Sequence, residues 1–132
     1  MTQKTKAELD ALFADNTSGD IGADDARDFI DSTVGTRYVS SEDGAVTLDR
    51  DDDIIVCDGS VSGFTVTLPA ASGYTHKVYT IIAEDVSGGN IVVDGDGAET
   101  INGAATQTLD AAYESITIAC NGTEWFIIAD TR

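Results

Sequence analysis

Phe64-Thr65-Val66-Thr67-Leu68 sets large apolar side chains in alternation with threonines. A period of two is the pattern of a strand with one face in a core and the other in water. Runs of the same character recur on either side, between turn signals. Ala45-Val46-Thr47-Leu48 and Asp53 to Cys57 precede it. Lys77 to Ala83, Asn90 to Val93, Gln107-Thr108-Leu109, Ser115 to Ala119 and Glu124 to Ile128 follow. Gly, Thr, Val, Ile and Asp dominate from Tyr38 onward, and Pro69 is the only proline. Short strands at such regular spacing predict a sandwich, a barrel or stacked β-structure rather than α/β. The expectation is a mainly β protein, with an antiparallel β-sandwich or barrel-like domain over residues 37–132. Asn121-Gly122, between the last two runs, is the strongest hairpin signal. Trp125 shares a face with Ile127 and is expected to anchor the core. Thr67-Leu68-Pro69-Ala70-Ala71 is echoed by Thr108-Leu109-Asp110-Ala111-Ala112, which raises a duplicated hairpin against chance similarity.

Residues 1–36 read differently, as a helical adaptor of two short α-helices. Leu9, Leu12 and Phe13 form one apolar stripe, and Thr5 with Glu8 is a capping-box signature. Asn16 and Gly19 end that helix. Asp24 and Asp25 place negative charge at the start of a second helix, whose apolar face is Phe29 and Ile30, with Ile21 just before it. Each large apolar group contributes roughly 1.5–3 kcal/mol if fully buried. Ordering the backbone costs about 1–2 kcal/mol per residue. So few groups cannot hold the unit together alone, and it needs its own β-domain, a neighbouring subunit or a docking partner to pack on.

The chain has 132 residues, 42% of them hydrophobic, enough for one domain with a core. Twenty-four acidic residues against seven basic ones give a formal net charge of −17. That balance excludes the clustered Lys and Arg through which nucleic acid is bound, and it disfavours anionic membranes. The charge reads either as a solvated surface or as an acidic face for a basic partner. No signal peptide and no membrane-spanning run is present, which predicts synthesis in a cytoplasm. Cys57 and Cys120 lie in apolar runs and are expected to be buried thiols, a disulfide requiring adjacent strands.

Chemistry is sparse. His76 is the only histidine, so no Ser-His-Asp or Cys-His arrangement can be assembled around it, and Ser60 lacks the strand-to-helix context of a nucleophile elbow. The chain is therefore expected not to be an enzyme. Asp51 and Asp53, and Asp94 and Asp96, supply hard oxygen ligands suited to calcium, although neither run meets the EF-hand spacing and charged turns explain both. Tyr74 and Tyr113 fall in turn-like segments and are the candidate glycan contacts.

The lead-in Leu12-Phe13-Ala14-Asp15-Asn16, Gly19-Asp20-Ile21 and Arg27-Asp28-Phe29-Ile30-Asp31-Ser32 resembles that of bacteriophage fibre and virion-decoration proteins. Thr67-Leu68-Pro69-Ala70-Ala71, Gly95-Asp96-Gly97, Glu99-Thr100-Ile101-Asn102-Gly103 and Gly122-Thr123-Glu124-Trp125-Phe126-Ile127-Ile128 are similar to the β-modules that follow such lead-ins. The resemblance implies a homotrimeric phage virion protein. At this length it is closer to a capsid decoration (cement) or head-fibre protein than to a long tail fibre. Its partners would be itself and the major capsid or another virion protein. Leu12, Phe13, Ile21, Phe29 and Ile30 are the expected contacts and the virion the expected location. The alternative is a tail-fibre module that binds a host receptor or glycan.

Overall fold

The computed structural model describes residues 35–132. The adaptor expected over 1–36, with Leu12, Phe13, Ile21, Phe29 and Ile30, lies outside the described residues except for Gly35 and Thr36. The described chain forms β1 (Thr36–Ser40), β2 (Val46–Thr47), β3 (Ile54–Asp58), β4 (Phe64–Thr67), β5 (Val78–Asp85), β6 (Ile91–Asp94), β7 (Thr106–Leu109), β8 (Ser115–Cys120) and β9 (Trp125–Asp130). Every strand run read from the sequence is present. β1 is the addition, missed because Thr-Arg-Tyr-Val-Ser buries only Val39 and shows no apolar alternation.

The strands make two open sheets, one in the order β1-β3-β5-β8-β9 and one in the order β2-β4-β6-β7. The expected antiparallel arrangement needs correction. β1, β3 and β5 run parallel, as do β2, β4 and β6, because the chain crosses to the opposite sheet after each of the first five strands. Only the last part is antiparallel: β7 returns along β6, β8 lies against β5 and β9 against β8. The fold is thus a coil of stacked strand pairs closed by antiparallel strands, and the sheets do not join into a barrel. The physical reason is that alternation fixes which face of a strand is buried, while a turn can either reverse the chain into a hairpin or carry it across the core. The two echoed segments span the ends of β4 and β7, where the chain leaves the four-stranded sheet for the other. Since β4 is parallel to β6 and β7 antiparallel, they are not copies of one hairpin.

The inward faces meet in one core. Val39, Ile55, Cys57, Tyr79, Ile81, Ile116, Ile118 and Trp125 come from one sheet, and Val46, Phe64, Val66, Ile91, Val93 and Leu109 from the other. Trp125 is fully buried, with its ring centroid 5.5 Å from that of Tyr79. The Tyr79 hydroxyl donates to the Asp49 carbonyl at 2.6 Å, so the second aromatic keeps its polar tip satisfied inside the core. Cys57 and Cys120 are free and buried, on β3 and β8 with β5 between them. Asn121-Gly122 does turn β8 into β9. The Asn121 side-chain oxygen accepts the N–H groups of Thr123 and Glu124, and Gly122 takes a φ of 96°.

Candidate functional site

A concavity among the described residues is built where the coil turns. Asp58 ends β3 and Asp85 ends β5, and both turn the chain in the same way. Asp58 Oδ1 accepts the Ser60 N–H at 2.9 Å, and Asp85 Oδ1 accepts the Ser87 N–H at 2.7 Å, a local bond that Asp is suited to make. The two corners stack directly, the Gly59 N–H donating to the Asp85 carbonyl at 2.8 Å.

Between Cys57 and Asp58 the ladder slips. Cys57 pairs with Ala83 but Asp58 pairs with Asp85, which leaves Glu84 as an extra residue. A bulge of this kind re-aims side chains. Asp58, Glu84 and Asp85 consequently line one cleft with Ser60. Tyr38 of β1 and Tyr113 of the β7–β8 connection form its walls, and its volume is about 330 Å³.

Tyr38 is 58% exposed and donates its hydroxyl to Asp58 Oδ2 at 3.0 Å. That hydrogen bond is the main reason its phenol is pushed up to about 12. Ionisation would lose the bond and set an anion beside Asp58 and Glu84. Asp58 is held below the usual carboxylate range, chiefly by hydrogen bonds from Ser60 and then from Tyr38. Asp85 is lowered in the same sense by Ser87. Both are therefore anionic at neutral pH. Tyr113 is 80% exposed and sits at a φ of 69°, a left-handed conformation that costs a non-glycine residue about 1–2 kcal/mol. Its N–H donates to the Ala83 carbonyl at 2.6 Å. The Glu114 carboxylate accepts the N–H groups of Asp110 and Ala111. The backbone is thus pinned to the bulge while the ring projects beside the carboxylates.

Of the candidate glycan contacts, Tyr113 belongs to this cleft. Tyr74 does not: it is half-buried against the core, with the Arg50 guanidinium 4.8 Å above its ring. Among the suggested calcium ligands, Asp53 accepts the Gly35 N–H at 2.6 Å and pairs with Lys77. Asp51 is in the turn before β3, its N–H bound to Asp49. Asp94 ends β6, and Asp96 turns the following loop through its carbonyl, which accepts the Glu99 N–H. Among the described residues, no group of three His, Cys, Asp or Glu side chains is arranged to hold a metal ion. His76 is an exposed turn residue with a φ of 68°. No helix among the described residues is long and apolar enough to cross a membrane.

Sequence reasoning missed Tyr38, Asp58, Glu84 and Asp85. One signal was available: Asp58-Gly59-Ser60 recurs as Asp85-Val86-Ser87 at the spacing that separates Phe64 from its register partner Ile91. No protein-family model and no curated protein matches the chain.

Proposed function

We propose that the chain is a non-enzymatic structural protein of a phage virion, a trimeric capsid decoration or head-fibre protein that binds the capsid surface by multivalent contacts. The observation that carries this reading is the outward face of the five-stranded sheet. Parallel strands are normally covered on both faces and read as near-continuous apolar runs, as Ile54-Ile55-Val56-Cys57 and Ile81-Ile82-Ala83 do. Ile54, Val56 and Ile82 point away from the core and are only half-buried, while Tyr38, Val78 and Phe126 on the same face are exposed. Charge on this face is gathered at one end, where Asp58, Glu84 and Asp85 line the cleft. For a chain of net charge −17, it is the surface on which copies can meet without desolvating many carboxylates. Three copies would then offer equivalent surfaces to a symmetric site, and modest contacts would add through high effective concentration. The resemblance of residues 12–32 to phage lead-ins supports the virion location.

Light scattering of the full chain tests the assembly. A mass near three times 13.8 kDa that falls to the monomer value in Phe126→Asp and Val78→Asp supports it. A monomeric wild-type chain overturns it. Deleting residues 1–33 then separates two roles of the lead-in. A folded trimer that no longer binds capsids makes the lead-in the adaptor, and a collapsed β-domain makes it part of the domain's own packing. Glycan binding by the full chain, without capsid binding, would favour the receptor-binding alternative.

A further inference from the structure

We infer that the cleft between Tyr38 and Tyr113 is a receptor for an organic cation, namely the ammonium or guanidinium group of a lysine or arginine side chain on a partner protein. The cleft lies at the charged end of the outward face, sharing Tyr38, Asp58 and Glu84 with it, and the inference does not depend on the virion reading.

The hydrogen-bonding inventory of the cleft selects the ligand. Its charged groups are the carboxylates of Asp58, Glu84 and Asp85, which are acceptors only once ionised. The hydroxyl donors of Tyr38 and Ser60 are both already committed to Asp58. A ligand that completes this site must bring donors. Ammonium and guanidinium groups are donors only, whereas a sugar hydroxyl needs donors as well as acceptors around it.

The charge balance agrees. None of the three carboxylates has a basic partner among the described residues, whose own Arg and Lys side chains are engaged elsewhere. Arg37 pairs with Asp52, Lys77 with Asp53 and Arg132 with Asp130. Arg50 donates to the Gly73 carbonyl and covers Tyr74. A bound cation would relieve the repulsion that the bulge creates by setting Glu84 and Asp85 beside Asp58.

The walls point the same way. Tyr113 holds an exposed aromatic ring at the rim of the cleft, its backbone fixed by the N–H that donates to the Ala83 carbonyl. An aromatic face within about 6 Å attracts a cation through its quadrupole. A volume of about 330 Å³ accommodates one extended basic side chain and is at the small end for larger ligands.

The test is a titration of the full chain, followed by backbone amide shifts in NMR. The ligands are a capped lysine amide, a capped arginine amide, spermidine, calcium and galactose. Saturable shifts at Asp58, Glu84 and Tyr113 with the capped amino acids are expected, with an affinity in the millimolar range appropriate to one side chain that weakens as salt is raised. Tyr113→Ala should weaken binding about threefold, and Glu84→Gln should weaken it while reducing its salt dependence. Both positions are exposed, and a spectrum otherwise like wild type would verify that the variants fold. Tighter binding of a lysine-bearing peptide than of spermidine supports a protein source, and the reverse order overturns that part. Saturation by galactose alone, preferential binding of calcium, or shifts unaffected by Glu84→Gln overturns the cation site.

Discussion

Replacing Gly88 with alanine tests whether the corners of the coil are locked backbone against backbone. A Cβ at this position would lie 2.4 Å from the carbonyl carbon of Val61, 2.5 Å from the Ser60 oxygen and 2.6 Å from the Val61 oxygen. All three obstacles are main-chain atoms of the corner stacked beside it, so no rotamer change relieves the clash and the two corners must part. Overpacking costs about 1–3 kcal/mol, and the lack of a soft neighbour argues for the upper part of that range. Alanine also narrows the unfolded ensemble, which offsets about 0.4–1 kcal/mol. The net loss is therefore about 1–2.5 kcal/mol, a fall in Tm of roughly 5–20 °C for a domain of this size. Urea unfolding followed by the fluorescence of Trp125, the single and fully buried tryptophan, measures it directly. Gly73→Ala is the control. A Cβ there meets nothing within 4 Å, so that variant should be neutral or stabilised by up to about 1 kcal/mol. An unchanged midpoint for Gly88→Ala, or an equal loss in Gly73→Ala, refutes the interlocked-corner account.

Other perturbations probe other parts of the molecule. Asp52, 5% exposed, accepts the Asp49 N–H at 2.9 Å and faces Arg37 at 3.2 Å. Asp52→Ala should cost about 1–3 kcal/mol in urea unfolding, mainly by leaving that N–H unpaired, and Asp52→Asn should cost less. Burial pushes the Cys57 thiol up to about 12 and raises that of Cys120. Neither should react with a thiol reagent in the native protein and both should react in urea; rapid native labelling would contradict the packed core. Subtracting the alkaline absorbance titration of Tyr38→Phe from that of wild type should reveal a phenol ionising at about 12, and Asp58→Asn should bring it down. The contribution of Asp58 and Asp85, whose folded-state values are depressed, is present in full above about pH 4 and lost as pH falls through those values. A double Asp→Asn variant at these positions should therefore show a flatter loss of stability in acid, and an unchanged profile would sink that assignment.

Much of the fold is legible in side-chain alternation. Phe64-Thr65-Val66-Thr67-Leu68 announces β4 and its buried face, and the same logic finds β3, β5, β6 and β8. Strand direction is not written there, because a turn sequence such as Asp58-Gly59-Ser60 serves a crossing between sheets as well as a hairpin. The site was harder to read. Tyr113 stood out as an aromatic in a turn, but Tyr38 could not be placed without β1. The three acids converge only because Glu84 is an extra residue in the pairing of β3 with β5, a register slip with no compositional mark. The Asp49 to Asp53 run looked like a ligand set, yet Asp49 and Asp52 each accept a main-chain N–H within the turn before β3, and Asp53 accepts the Gly35 N–H just ahead of β1.

The stacking of Asp58 on Asp85 has a bearing on how such a molecule can change over generations. In a coil, each turn touches chiefly the turns before and after it, so length is a variable independent of the ends. An in-frame duplication spanning Asp58 to Glu84 would add one rung and leave β1 and the terminal antiparallel strands with the neighbours they already have. It would also place a third aspartate in line with the existing two. The same genetic event that lengthens the body would thus lengthen its acidic stripe, tying reach and surface charge to a single heritable unit.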